Sequence, residues 1–548
     1  MALGPEFISG LVPALKEFLP LRISKIEGGF SWTALKFLND KYLLLSWTSG
    51  AAGCCFASED DVTALKDFSN ARTSLVEALK SKLLRGGEIF DIEQLNHDRI
   101  IKFHVIRRVA AGVSIKYFLV LEVTEPVANF ILLDENQKIY EAAKHSAPDK
   151  NQFRTILPGH FYNTPPEFKG IDLKSDNAFN FENVKNLIGV GRPLTRLIQD
   201  HWSEHDLLAW KSAVIKISDT NHDFSDTPCQ IITNKNYLTR FDFTFPETKI
   251  LSNDPISAAR AGVLDVLLNK GREKKLHDID LKLKRAVKSR ERHLDGLKKQ
   301  LTECQNSEVF RKKGETILAH INEIQPYSTE VKLTSWDGEI FDIELDPNLT
   351  PSRNADRYFK KYRKFKSNPD IIQSNINAIQ SAIQEIQEQY DILEALSSPQ
   401  EFDKAATDVI EWLEPQQEFK KARQQKNKHQ EPPHLVYEID GAIILAGLSA
   451  RGNRFVLRQA RPEDIWLHAH ELAGSHVIIK GVKRSELESD KADILKFAAS
   501  IAAGHSKGKN SNSVQIDYTE RKYVRPVPGT VALVTYTNPS TIRVTPEI

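Results

Sequence analysis

Cysteine is scarce in this chain: four in 548 residues, Cys54, Cys55, Cys229 and Cys304. They are scattered and lack ligand spacing, which argues against a disulfide framework and a cysteine-based zinc site and fits a reducing cytosol. No apolar run approaches the roughly 18 residues of a membrane span, so no spanning helix is expected. The start, Met1 to Phe7, lacks the basic end and long apolar core of a signal peptide. A Gly-x-Ser-x-Gly elbow is absent, and Ser475 and His476 are neighbours in sequence, so a nucleophilic triad has little support.

Charge is abundant but unevenly placed. Lysine plus arginine number 74 against 73 acids, a net of +1. Residues 270–300 hold twelve basic and five acidic residues (+7), residues 357–366 hold six basic (+6) and residues 419–429 five (+5). These clusters reach +18, so the rest of the chain is −17. Clustering of this kind suits a polyanion partner, whose counterions are released on contact, and equally suits a solvated helix face.

A heptad seam organises the middle of the chain. Ile372, Ile376, Ile379, Ile383, Ile386, Tyr390 and Leu393 recur at spacings of 4 and 3. Leu276, Ile279, Leu283, Ala286, Leu294, Leu297 and Leu301 form a second seam that skips near Arg290, as a stutter would. Strand- and turn-like sequence separates the two. An antiparallel coiled-coil hairpin with a small unit at its tip is expected, its arm about 45 Å long at about 1.5 Å per residue. The tip carries strand-like Val331–Thr334 and Ile340–Leu345 around Asp337-Gly338. Then follow Arg357, Tyr358, Phe359, Lys360, Lys361, Tyr362, Arg363 and Lys364. Interleaved rings and cations suit stacked bases and phosphates, or a helix that turns its rings inward.

Elsewhere, Tyr42–Trp47, Ile100–Val109 and Phe130–Leu133 read as strands, and Ala64–Leu84 as one helix stopped at Gly86-Gly87. Asp98-Arg99 stands at the start of a strand. Residues 146–180 read as a polar connector with turns at Pro158-Gly159 and Pro165-Pro166. Two short helices are expected around Gly189 to Pro193, where paired glycines allow either a close phosphate approach or a plain tight turn. Residues 414–433 read as a linker. Residues 434–548 read as an α+β domain with strands at Ala442–Ala446, Arg454–Leu457, Ile465–Leu467, Val477–Ile479, Val514–Ile516 and Val531–Thr535, and one helix at Ser489–Ala503.

That last domain concentrates polar chemistry. Alternation along a strand turns Asp464, Trp466, His468 and His470 one way and Ile465 and Leu467 into the core. Gly504 to Asn510 form a flexible cationic loop. A metal would need a third ligand such as His476 or His505, and no cysteine or glutamate cluster completes it. A satisfied structural cluster and a nucleic-acid contact both fit; the contact is the reading adopted, carried by Asp464, Trp466, His468, His476, Lys507 and Lys509.

Asp464 to His468, Gly474 to Ile479, Ser506 to Asn510, Asp517 to Glu520 and the closing Tyr536-Thr537-Asn538 with Val544-Thr545-Pro546 resemble the NFACT-R domain. Asp346-Pro347, Pro351-Ser352, Asn354-Ala355 and Arg357 to Tyr362 resemble the middle segment of the same NFACT family. Asn96 to Ile101, with Pro158-Gly159, Tyr162 and Pro165-Pro166, resemble NFACT-N. The family comprises ribosome-quality-control factors, some labelled fibronectin-binding proteins. The resemblance implies a multidomain α+β chain: a glycosylase-like NFACT-N domain (1–180), a helix-hairpin-helix (181–255), the coiled coil (256–413, tip about 325–368), the linker and NFACT-R (434–548). It implies a cytoplasmic factor without cofactor or catalytic residue. Such a factor binds the large ribosomal subunit with its nascent peptidyl-tRNA and recruits tRNA, alanyl-tRNA in bacteria, for mRNA-independent C-terminal tailing. It also implies that Asp98 and Arg99 engage tRNA, and that the tip residues Arg357, Lys360, Lys361, Arg363 and Lys364 touch ribosome or RNA. Two departures stand out. The family's early Phe-Asp-Gly reads Ile8-Ser9-Gly10, and its basic Gly-Lys-His stretch reads Glu125 to Ala128. A paralogue that binds ribosomes or tRNA without tailing, and a fibronectin-binding adhesin, are the alternatives.

Overall fold

The computed structural model describes residues 1–69, 71–110, 113–147, 154–171, 179–218, 227–305, 307–366, 369–413 and 431–546. Most of the expected linker, with its basic cluster at 419–429, lies outside them, as do residues 148–153 and 172–178 of the connector. The chain is a mixed α+β protein that divides into two units, Met1–Lys275 and Leu276–Ile548. No helix among the described residues is long and apolar enough to cross a membrane.

The first unit is built on a nine-stranded antiparallel sheet. Ile100–Ala110 is its longest strand and shows why it forms: Ile101, Phe103 and Val105 are fully buried while Lys102, His104 and Ile106 face the other side. Its neighbours are Gly87–Gln94 and Val113–Glu122. Helix Pro5–Lys16 lays Phe7, Ile8, Leu11 and Leu15 into the core. A second, four-stranded sheet joins Ala2–Leu3, Tyr237–Arg240, Cys229–Ile232 and Thr248–Ser252.

Local chemistry corrects two expectations here. The single helix Ala64–Leu84 is two, Glu59–Phe68 and Ser74–Leu83. Ser69 leaves helical geometry, and the Thr73 hydroxyl accepts the Val76 N–H at 3.3 Å, so a new N-terminus opens. Of the two short helices expected around Gly189 to Pro193, the first is only a 3-10 turn. A single 3-10 turn, Val184–Asn186, precedes the glycines, and the helices Arg192–Asp200 and Leu207–Ser218 follow them.

In the second unit, the helix Pro255–Gln305, which begins in the first unit, packs against Pro369–Ala395. Its 51 residues span roughly 77 Å at about 1.5 Å per residue. Leu294, Leu297 and Leu301 meet Ile372, Ile376, Ile379 and Ile383, and Tyr390 lies by Asp280 and Lys284. The partners therefore run in opposite directions. Arg290 takes the seam position at the stutter, half-buried, its guanidinium donating to the Ala286 carbonyl at 3.3 Å. Leu283 and Ile279 continue the buried stripe beyond it.

Between these helices sit helix Ser307–Ala319, hairpin strands Glu330–Thr334 and Ile340–Glu344, and helix Pro351–Phe365. Gly338 turns the hairpin at φ +84°. The C-terminal part is a six-stranded sheet, strands His434–Ile439 through Ser540–Val544, backed by helix Ala492–Gly504. Arg454–Leu457, expected as a strand, lies in helix Ala450–Gln459. Ser449 caps it, and Asn453, Val456 and Leu457 share its buried face at helical spacing. The apolar run alone is too short to tell the two periods apart. The strand expected at Val531–Thr535 is Val534–Tyr536, because the N–H groups of Val531 and Ala532 turn to Glu385 instead.

Candidate nucleic-acid interface

Asp98 and Arg99 sit on the loop entering strand Ile100–Ala110. Asn96 and His97 before them both adopt left-handed backbone, φ 54° and 50°, a strained pair for residues with side chains. The loop is held on every side. Asp98 N–H donates to the Leu95 carbonyl and Leu95 N–H to that of Ile100; the Gln94 amide donates to the Asp98 carbonyl, and Val123 N–H to that of Arg99. The Asp98 carboxylate accepts the Arg99 N–H at 2.7 Å and lies 3.8 Å from its guanidinium. Both side chains keep about a third of their surface exposed, 32% and 30%. The fold thus spends strain on displaying an acid and a base together.

Under this loop lies polar chemistry that sequence reasoning missed. Glu6, 1% exposed, accepts the Gly191 N–H at 2.9 Å and the Thr239 hydroxyl at 2.8 Å. Burial pushes its carboxyl up despite these bonds. Tyr237 is buried between Glu6 and the Asp98–Arg99 pair, its hydroxyl pushed well up by burial and by Glu6. A Cβ on Gly191 would lie 1.7 Å from the Tyr237 hydroxyl, so only glycine fits. Of the two alternatives left open at the paired glycines, the plain turn describes Gly191, whose N–H serves Glu6. Glu122 and Arg154 form a second buried pair, and the Tyr162 hydroxyl donates to Glu122 at 2.8 Å. Tyr162 was visible in the motif; its partners carried no local signal.

At the tip, helix Pro351–Phe365 turns its rings inward. The Tyr358 hydroxyl donates to the Glu344 carbonyl at 2.8 Å, and Phe359 packs on Gly314. Tyr358 and Phe365 approach Phe310. These rings are packing groups, which corrects the base-stacking alternative. The cations point out: Arg357, Lys360, Arg363 and Lys364 are exposed, while Lys361 lies over the Phe310 and Tyr358 rings. Arg353, overlooked in the sequence although it lies four residues before Arg357, completes an exposed stripe with Arg357, Lys360 and Lys364 at helical spacing.

In the C-terminal domain, strand Ile465–Ala469 alternates as expected, but the polar face is covered. Trp466 is fully buried among Leu445, Val456, Leu457, Ile478 and Val524. Asp464, 3% exposed, accepts the Arg461 N–H and shapes a turn. His476, 5% exposed, lies against Trp466 and His468. Only His468, half-buried, and His470, exposed, reach the surface. Asp464, Trp466 and His476 are therefore interior groups, not contact residues. Burial pushes the His468 imidazole down to about 4 and that of His476 well below its usual value. Asp517, 2% exposed, accepts both the His470 ring at 2.7 Å and the Tyr536 hydroxyl at 2.6 Å, and raises the His470 imidazole. No group of three or more His, Cys, Asp or Glu among the described residues could hold a metal.

Lys507 and Lys509 reach protein rather than solvent alone. Lys507 meets Asp391 at 3.1 Å, and Lys509 donates to the carbonyls of Glu394 and Ala395 at 2.8 and 3.1 Å. Lys509 thus caps the last turn of helix Pro369–Ala395.

With this geometry in view, comparisons with known proteins are informative. A family profile described as NFACT N-terminal and middle domains matches residues 7–431. The chain is 29% identical over 503 residues to a Streptococcus suis protein named Rqc2 homolog RqcH, covering 88% of this chain and 87% of that one. It is 28% identical over 587 residues to the Bacillus subtilis protein of the same name, covering 100% and 98%. A solved structure of the N-terminal part of the fibronectin/fibrinogen-binding protein from Streptococcus suis is 23% identical, covering 46% of this chain and 96% of that one, with a TM-score of 0.36.

Proposed function

The chain belongs to the NFACT family, and from that premise we propose that it is a cytoplasmic ribosome-associated quality-control factor. It binds the large ribosomal subunit that carries an obstructed peptidyl-tRNA. It recruits tRNA, alanyl-tRNA, for mRNA-independent extension of the stalled chain. The ribosome makes the peptide bond, and this protein supplies position.

The observation that carries the reading is the Asp98–Arg99 loop: two left-handed residues, Asn96 and His97, precede an acid and a base held side by side and partly open to solvent. The outward stripe on the tip helix supports it as a surface for phosphates. A binding factor that does not tail is the second reading. It draws on Glu125, whose carboxylate is committed to the Gly50 N–H at 2.6 Å where the family has a basic stretch.

Sedimentation with isolated large subunits tests the proposal. Co-sedimentation is expected at low salt and is lost at high salt and in Asp98→Ala/Arg99→Ala. Failure to co-sediment at low salt overturns it. Alanine tails on a stalled reporter chain, present or absent, separate the two readings.

A further inference from the structure

Three features of the C-terminal domain are built to take anions: the N-terminus of helix Ala450–Gln459, the adjacent N–H groups of Val531 and Ala532, and the loop carrying His505, Lys507 and Lys509. Acids from helices Pro369–Ala395 and Pro399–Leu413 meet all three. Asp408 accepts the Ser449 hydroxyl at 2.6 Å and pairs with Arg451, which also meets Glu411 at 3.2 Å. One Glu385 oxygen accepts both Val531 and Ala532 N–H at 2.6 Å, with the Arg454 charge near it. Asp391 meets Lys507, and Glu401 lies 3.2 Å from the His505 ring.

We propose that the acids facing the His505–Lys509 loop, Asp391 and Glu401, act as an intramolecular substitute for a nucleic-acid backbone, so that the edge of the C-terminal domain bearing Lys507 and Lys509 is masked until an RNA displaces them. The inference rests on the reading of that loop as an RNA contact. The contact has two tiers. Glu385 and Asp408 are buried, 3% and 5% exposed, and hold the domain in place. The Lys507–Asp391 pair is open to water, with 58% and 22% of the side chains exposed. Exposed pairs are weak and screened by salt, so this edge can exchange one polyanion for another while the buried tier stays shut. An RNA phosphate offers Lys507 and Lys509 what Asp391 and the end of the helix offer them, and releases counterions besides.

The test uses the full chain and a short, labelled single-stranded RNA. Asp391→Asn/Glu401→Gln, which removes the two acids facing the loop and leaves Glu385 and Asp408 in place, is expected to bind about fivefold more tightly or better, a coupling of ordinary size. Unchanged or weaker binding overturns the proposal. Lys507→Ala/Lys509→Ala is expected to weaken binding; if it binds as the parent does, RNA uses another surface, and the reading of the loop falls together with the proposal. Hydrogen exchange on the unaltered chain gives an independent reading. RNA should increase exchange at the last turn of helix Pro369–Ala395, while protecting residues 505–510. Protection of both segments, or no change in either, overturns the competition.

Discussion

Arg154 and Glu122 meet in a bidentate pair, Nη1 to Oε1 at 2.6 Å and Nη2 to Oε2 at 2.5 Å. Glu122 stands opposite Ile100, one residue before the N–H of Val123 that holds the Arg99 carbonyl. The pair therefore ties the segment around Arg154 to the strand that supports the displayed loop. Glu122 is 2% exposed, so Arg154→Ala strands a buried carboxylate. Urea unfolding should show a loss of about 3–5 kcal/mol. A loss below about 1 kcal/mol would mean that water reaches Glu122 readily.

The seam of the long hairpin predicts a sharp contrast between two isoleucines in one helix. Ile376 is 4% exposed against Leu294 and Leu297, and Ile371 is 59% exposed. Ile376→Ala should cost about 2–5 kcal/mol, and Ile371→Ala no more than about 0.5 kcal/mol. Equal effects in thermal unfolding would contradict the packing.

The tip stripe makes a prediction about salt. Replacing Arg353, Arg357 and Lys360 by glutamine removes three exposed cations and no buried contact. Stability should hold, while the slope of log affinity for large subunits against log salt should fall by roughly 2–3. An unaltered slope would remove this helix from the interface.

The C-terminal histidines set a pH dependence. Burial holds His468 at about 4, below the roughly 6.5 of a free imidazole. Between those values the unfolded chain binds the extra proton and the folded chain does not, so stability falls as pH drops from about 6.5 toward 4. His476 acts in the same direction. His470, raised by Asp517, acts oppositely, but it is exposed and its effect is screened. The urea midpoint should decline on acidification, and His468→Gln should flatten that decline. An identical slope in the variant would show that His468 is not held neutral.

Much of this architecture is legible in the sequence. The recurrence of Ile376, Ile379, Ile383 and Ile386 specified a helix with one apolar edge, and the skip at Arg290 marked where a half-buried cation takes a seam position. The alternation of Ile101, Phe103 and Val105 specified a strand. These patterns are local: a period of 2 or 3.6 residues records which side of an element meets apolar matter. Where local signals were ambiguous, reading failed. Arg454–Leu457 carries too few residues to separate the periods, and Ser69 and Thr73 split a helix that apolar spacing ran together.

The identity of a polar partner has no such period. Nothing near Lys507 announces Asp391, 116 residues earlier, nor does Glu6 announce Gly191, 185 residues later. The same holds for Trp466, whose alternation gave its direction correctly but not that Val456 and Val524 would cover it. An apolar face can be read from one strand, because burial is a property of the face. Which charge neutralises which, and which ring stays open to a ligand, depends on distances that exist only once distant segments pack. The sequence therefore determined the elements and their apolar sides, and the tertiary structure decided which of the candidate cations and rings remain available to a partner.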